Sequence, residues 1–281
     1  MALKKELPTV LPWYENLQNQ IRFRENNKDV ELYRNITPVD ENFIPFVFKI
    51  PKGYGRPIEW KIKQINGITI DISNNIGLLF PIEFDDFVYV YYLGSLGTEL
   101  TWNSTPPIGY FWMEIKFPTS APSYGKIYYS ELMFAKCERN TYLEIIYSND
   151  GDIEPIRYRN GFKQIVILDT FLHTAEPEIE EEGERDGENN LIPTFVTMTI
   201  KQKAEVIVPD YMKTALSSLQ MHDNIWIGNG YNGSGDIDRA TVQAQTDETG
   251  AFSSVIIDFQ TDVMSKKICD NNKPALNSGY W

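Results

Sequence analysis

Between residues 36 and 137 apolar and polar positions alternate with a period of two, and no 3.6-residue period interrupts them. Ile58, Trp60 and Ile62 alternate with Glu59, Lys61 and Lys63, and Asn66-Gly67 then offers a hairpin turn before Ile68–Ile72 returns. Phe43–Ile50 is apolar at both parities, and Pro45 places it at an edge or a bulge, because proline cannot donate to a ladder. Phe87–Leu93 is a further strand. Gly109–Phe117 sets Phe111, Met113, Ile115 and Phe117 on one face and Tyr110, Trp112, Glu114 and Lys116 on the other. Lys126–Lys136 closes the series. Strands at this spacing, without helices among them, predict an N-terminal β-sandwich over 36–137.

The second half, 138–265, reads differently. Thr141–Tyr147 is a strand followed by the turn-forming Ser148–Asp152. Phe162–Leu172 and Leu191–Val208 are rich in β-branched and aromatic residues. Between them, residues 176–188 carry Glu176, Glu178, Glu180, Glu181, Glu182, Glu184, Asp186 and Glu188 against the single Arg185. Such a segment cannot bury apolar area and its like charges repel, so the pattern predicts a long hairpin whose acidic loop projects into water. A helix is expected over 209–221, opened by Pro209-Asp210, with Met212, Ala215, Leu216 and Leu219 on one face. Asn224–Gly228 leads into strand, Asn229–Asp236 reads as a flexible loop, and Ala240–Thr246 with Phe252–Gln260 forms a last pair. The whole predicts a mainly β protein: a sandwich, then an α+β barrel or sandwich with one helix and a long acidic hairpin. Residues 1–35 form a polar, aromatic arm that packs either on its own domain or on a neighbour, and 266–281 form a tail ending in Tyr280 and Trp281.

Composition narrows the function. The net charge is −13 with no basic stripe, and the acidic segment carries about half of it. Neutralising phosphates needs clustered Lys and Arg, so sequence-specific nucleic-acid binding is not expected. Cys137 and Cys269 make no disulfide framework. No run approaches the roughly 18–20 apolar residues of a membrane span, and the amino terminus has no apolar signal core, so membrane insertion is not expected and folding in a cytoplasm is.

Candidate chemistry is sparse. His173 and His222 have no His or Cys at metal-ligand spacing and read as loop or capping residues. Gly233-Ser234-Gly235 is no nucleophile elbow, since Asn232 stands where the first glycine belongs. Gly228-Asn229-Gly230 lacks the strand-turn-helix setting of a dinucleotide site. Carboxylate pairs such as Asp85-Asp86 are common, but a hydrolase pair is defined by distance in space. No catalytic residue, cofactor or metal is therefore assigned. Aromatics are abundant, and Tyr89, Tyr91, Tyr110, Trp112, Tyr124, Tyr128 and Tyr129 could form a glycan platform. The alternative reading is core or protein interface, with Trp13, Tyr14, Trp112, Tyr128, Tyr280 and Trp281 as interface aromatics.

The Ile145–Ile153 run, the Gly161–Asp169 strand, the Glu180–Gly187 acidic stretch and Val206–Asp223 together resemble virion structural proteins of tailed phages infecting Bacteroidetes-type bacteria. That resemblance implies a structural component of a distal-tail, tube-end or baseplate ring, assembled in the host cytoplasm and carried in the virion tail. It implies a cyclic homo-oligomer that contacts neighbouring tail proteins, with residues 173–190 lining a lumen or gripping the next ring. A carbohydrate-binding receptor-recognition module, and less so a polysaccharide depolymerase, are the rival expectations.

Overall fold

A computed structural model describes residues 10–20, 36–38, 45–84, 87–93, 109–136, 142–151, 162–173, 176–185, 188–189, 191–230, 233–237, 239–246 and 252–267. The arm residues 1–9 and 21–35, the expected domain boundary at 137–141, Asp186 and the tail from 268 lie outside them. Among the described residues the chain is mainly β, arranged in open sheets that are antiparallel apart from one parallel pair (residues 36–38 with 134–136), with one α-helix and no closed barrel. The barrel alternative is thereby corrected.

The strands of the first half are β1 (Trp13–Tyr14), β2 (Ile36–Pro38), β3 (Phe46–Pro51), β4 (Glu59–Gln64), β5 (Thr69–Asp71), β6 (Leu79–Glu83), β7 (Phe87–Tyr92), β8 (Gly109–Lys116), β9 (Ile127–Ser130) and β10 (Met133–Lys136). Strand β8 is the hub of the larger sheet. It pairs with β4 over residues 111–116 on one edge, and with β9 and then β10 on the other. Phe111, Met113, Ile115 and Phe117 are all fully buried, as their alternation requires. The single strand expected over 126–136 is instead β9 and β10 with a bulge at Glu131-Leu132, where the register against β8 slips by one residue. Ser130 fills the gap: its hydroxyl accepts from Met113 N–H at 2.9 Å. The smaller sheet runs β3-β7-β6, and β3, preceded by Pro45, is an edge strand.

These two sheets pack face to face through rings. Trp13 of β1 stacks on Phe48 of β3 with centroids 4.6 Å apart, and Trp60 of β4 meets Phe46 and Tyr92 edge-on. The hairpin at Asn66-Gly67 forms, but only Gly67 has positive φ (91°). Gly67 N–H donates to Gln64 O and Gln64 N–H to Ile68 O, which makes a three-residue loop rather than a two-residue one.

The second half contains β11 (Leu143–Ser148), β12 (Gln164–Leu168), β13 (Glu176–Arg185), β14 (Leu191–Pro209), the helix α1 (Asp210–Ser217), and β15 (Asn224–Gly230), β16 (Gly233–Ile237), β17 (Arg239–Thr246) and β18 (Phe252–Lys267). One sheet is ordered β12-β11-β15-β16 and the other β13-β14-β18-β17. Strand β12 pairs with β11, not with β14, so the expected hairpin of 162–172 with 191–208 does not form as drawn. Only its end runs beside β14: His173 N–H donates to Lys203 O at 2.7 Å, and Thr170 Oγ1 donates to Glu205 O. The stretch expected to be loop at 229–236 is largely the β15–β16 hairpin.

The helix forms where its apolar stripe predicts and continues as a 3-10 turn over Ser218–Met221. Met212, Ala215, Leu216 and Leu219 are fully buried between the two sheets. A single eight-residue helix cannot persist alone, so this burial is what holds it. The main hydrophobic cluster is continuous from the sandwich into the second half, and two smaller clusters also join the halves, through Phe162 against Tyr91 (centroids 5.3 Å apart) and Phe252 against Leu132.

Candidate functional site

Strand β14 is longer than the core it serves. At roughly 3.3 Å per residue its 19 residues span on the order of 60 Å. Its even positions Ala204 and Val208 are buried, Val206 packs beside them, and its odd positions Lys201, Glu205 and Ile207 are exposed. Beyond Lys201 no position of β14 is fully buried among those described. There β14 is flanked by β13 on one side and by the end of β18 on the other. The result is a three-stranded ribbon that leaves the core at a bulge. Ile200 pairs with Asp262 and Lys201 with Gln260, so Thr261 is the extra residue on β18.

The acidic segment is thus a strand, not a loop. Residues 176–185 pair residue for residue with 191–201 apart from one register shift at Glu182/Gly183. Glutamate is a poor strand former, but the distal half of β14 needs a backbone partner and tertiary pairing overrides the propensity. Glu176, Glu178, Glu180, Glu181 and Glu182 are all exposed, as is Glu188 in the turn. The side chain of Glu184 and residue Asp186 lie outside the described set.

Register divides these charges between two faces. Glu176, Glu178, Glu180 and Glu182 stand opposite Lys201, Thr199, Thr197 and Phe195 on the outer face. Pro177, Ile179 and Glu181 stand opposite Ile200, Met198 and Val196 on the inner face, which is continuous with the core side of β14. Lys201 pairs with Glu178 and is raised in pKa chiefly by that hydrogen bond. Among the described residues β13 has no second neighbour, so its outer edge is open. Charged side chains on such an edge discourage strand-to-strand aggregation.

The expected interface aromatics have diverse fates. Trp13 is spent within its own chain. Tyr14 donates to Glu131 at 3.0 Å, and Tyr128 is buried and donates to Glu15 at 2.9 Å. Burial, with Glu15 beside it, pushes the Tyr128 hydroxyl upward. The described part of the arm, residues 10–20, therefore packs on its own domain, and Gln20 Nε2 adds a hydrogen bond to Ser130 O. Trp112 is part-buried, donates to Glu114 and packs beside Leu132 and Phe252. Tyr280 and Trp281 lie outside the described residues. A glycan platform drawn from Tyr89, Tyr91 and Tyr128 is not available on the surface, because all three are buried, while Tyr124 is 76% exposed on a separate loop.

The histidines serve the fold. His222 Nδ1 sits 2.6 Å from Ser218 O and the ring packs edge-on against Tyr147, and burial lowers its pKa. The ring of His173 lies beside Phe171. Among the described residues no three His, Cys, Asp or Glu gather as metal ligands, and no helix is long and apolar enough to cross a membrane. An open depression lined by Ile146, Lys163, Asp223, Asn224, Trp226 and Ile237 brings Lys163 and Asp223 to one surface. Ser148 and Ile225 also line it. Sequence reasoning missed the strand character of 176–185; the signal was the unbroken β pattern of Leu191–Val208, longer than one domain's core requires.

Compared with family models, curated proteins and solved structures, the chain matches none.

Proposed function

We propose that the chain is a structural subunit of a bacteriophage tail, working in a distal-tail, tube-end or baseplate ring by contacts between copies and with neighbouring rings. One observation carries this reading. Along β13 and β14 a ribbon leaves the described core with four carboxylates on one face and Ile179, Val196, Met198 and Ile200, with Glu181, on the other. Obligate assemblies use such protrusions to reach a neighbour, and closed rings repeat one contact around an axis. The outer carboxylates would repel DNA passing nearby, by the Coulomb logic that makes basic grooves hold it. Sedimentation of the purified chain with negative-stain imaging tests the proposal. A closed ring of one size is expected, and a monodisperse monomer across the micromolar range would refute it.

A further inference from the structure

The inner face of the ribbon repeats the core pattern of β14 where the described core no longer covers it. Val196, Met198 and Ile200 continue the alternation of Ala204, Val206 and Val208, and Ile179 of β13 adds to the same face while 61% exposed. Glu181 is the one acidic residue of β13 among them, and on β18 Asp262 pairs with Ile200, Met264 with Met198 and Lys266 with Val196. Between 195 and 201 Phe195 is the one apolar residue of β14 on the outer face, and a purely solvated ribbon gains nothing from such a bias, because both sides would meet water equally.

Strand β18 shows what is at hand to cover that face. It does not turn back at the core. It follows β14 out along the ribbon and ends at Lys267, opposite Phe195. Residues 268–281, outside the described set, therefore start at the far end of the ribbon, and they include Pro274, Leu276, Tyr280 and Trp281. Fully extended they reach roughly 45 Å, whereas the inner face from position 195 to 201 is about 20 Å long. The segment also holds a single acidic residue, Asp270, so it brings little repulsion to a strongly acidic chain.

We propose that the inner face of the ribbon is the docking site of the chain's own C-terminal segment, with Leu276, Tyr280 and Trp281 seated over Ile179, Val196, Met198 and Ile200. The occupant is an extended, near-neutral peptide with aromatic anchors. This inference does not depend on the tail-ring reading, since it holds for a monomer.

A photo-crosslinking residue, p-benzoylphenylalanine, placed at Trp281 of the full chain tests it, with mass spectrometry of the products. The expected result is a product of single-chain mass, joined to a peptide within 177–200. Cross-links between two chains would overturn the proposal in favour of a second copy as occupant, and cross-links elsewhere, or none, would also overturn it. An independent reading uses the chain ended after Lys267 and the dye 8-anilinonaphthalene-1-sulfonate. Severalfold stronger dye fluorescence, abolished by adding Met198→Glu, is expected, and unchanged fluorescence would count against the docking.

Discussion

Tyr14 donates its phenolic hydrogen to Glu131 Oε2 at 3.0 Å, linking residues 117 positions apart. Glu131 is only 1% exposed and stands at the bulge between β9 and β10, where its Oε1 also accepts from Leu132 N–H. A buried carboxylate is tolerated only when hydrogen bonds replace its water, and β1 supplies one of them. The short arm strand and the bulge therefore require each other.

Tyr14→Phe removes that donor and should lower stability by about 2 kcal/mol, the usual worth of a hydrogen bond to a charged group. Glu131→Gln should cost a similar amount, and the double variant should cost less than the sum, by about 1 kcal/mol. Urea unfolding of the four proteins at neutral pH checks this. Strict additivity would show that the pair is not coupled.

The sandwich's outer surface carries a second prediction, in pH. Hydrogen bonds from Lys116 and then Lys61 hold the Glu59 carboxyl down at about 2, against an ordinary value of 4.5. The unfolded chain takes up this proton first as pH falls. The contribution to stability is thus complete above about 4.5 and is lost between there and about 2. Glu59→Gln should be less stable than the parent at pH 7 and indistinguishable from it near pH 2. Parallel stability curves across that window would contradict the assignment.

The ribbon predicts a dependence on salt. Glu176, Glu178, Glu180 and Glu182 lie on one face at every second residue, about 7 Å apart, well within the roughly 30 Å screening length of 0.01 M salt. Raising salt to 0.5 M should slow amide hydrogen exchange in residues 195–200 severalfold. Replacing the four glutamates with glutamine should remove most of that response while leaving the unfolding midpoint of the whole chain nearly unchanged. A salt response that survives the replacement would place the repulsion elsewhere.

Much of the fold could be read in advance where one local pattern decided it. The buried row Phe111, Met113, Ile115 and Phe117, the Trp60–Ile62 alternation and the helix stripe Met212, Ala215, Leu216 and Leu219 all follow from period alone. What could not be read was partnership. Nothing in Phe162–Leu172 says that its strand pairs back to β11 and not forward to β14, because an antiparallel ladder accepts any strand of matching face. The acidic strand escaped for a related reason. Its own residues argue for water, and only the demand of β14 for a partner makes it β. The bulge at Glu131-Leu132 was hidden because Leu132, Met133 and Phe134 look like an ordinary apolar run.

The unbroken path of β14 from ribbon to core has a mechanical meaning. Its last residue, Pro209, leads directly into α1, so one stretch of backbone connects the far end of the ribbon to the helix packed between two sheets. A sideways push at the tip acts on a lever of roughly 30 Å, and the torque is delivered at the Thr261 bulge, where the flanking ladder is weakest. The ribbon should swing as a stiff vane about that point, while the side chains of Met212 and Leu216 resist any twist carried farther inward.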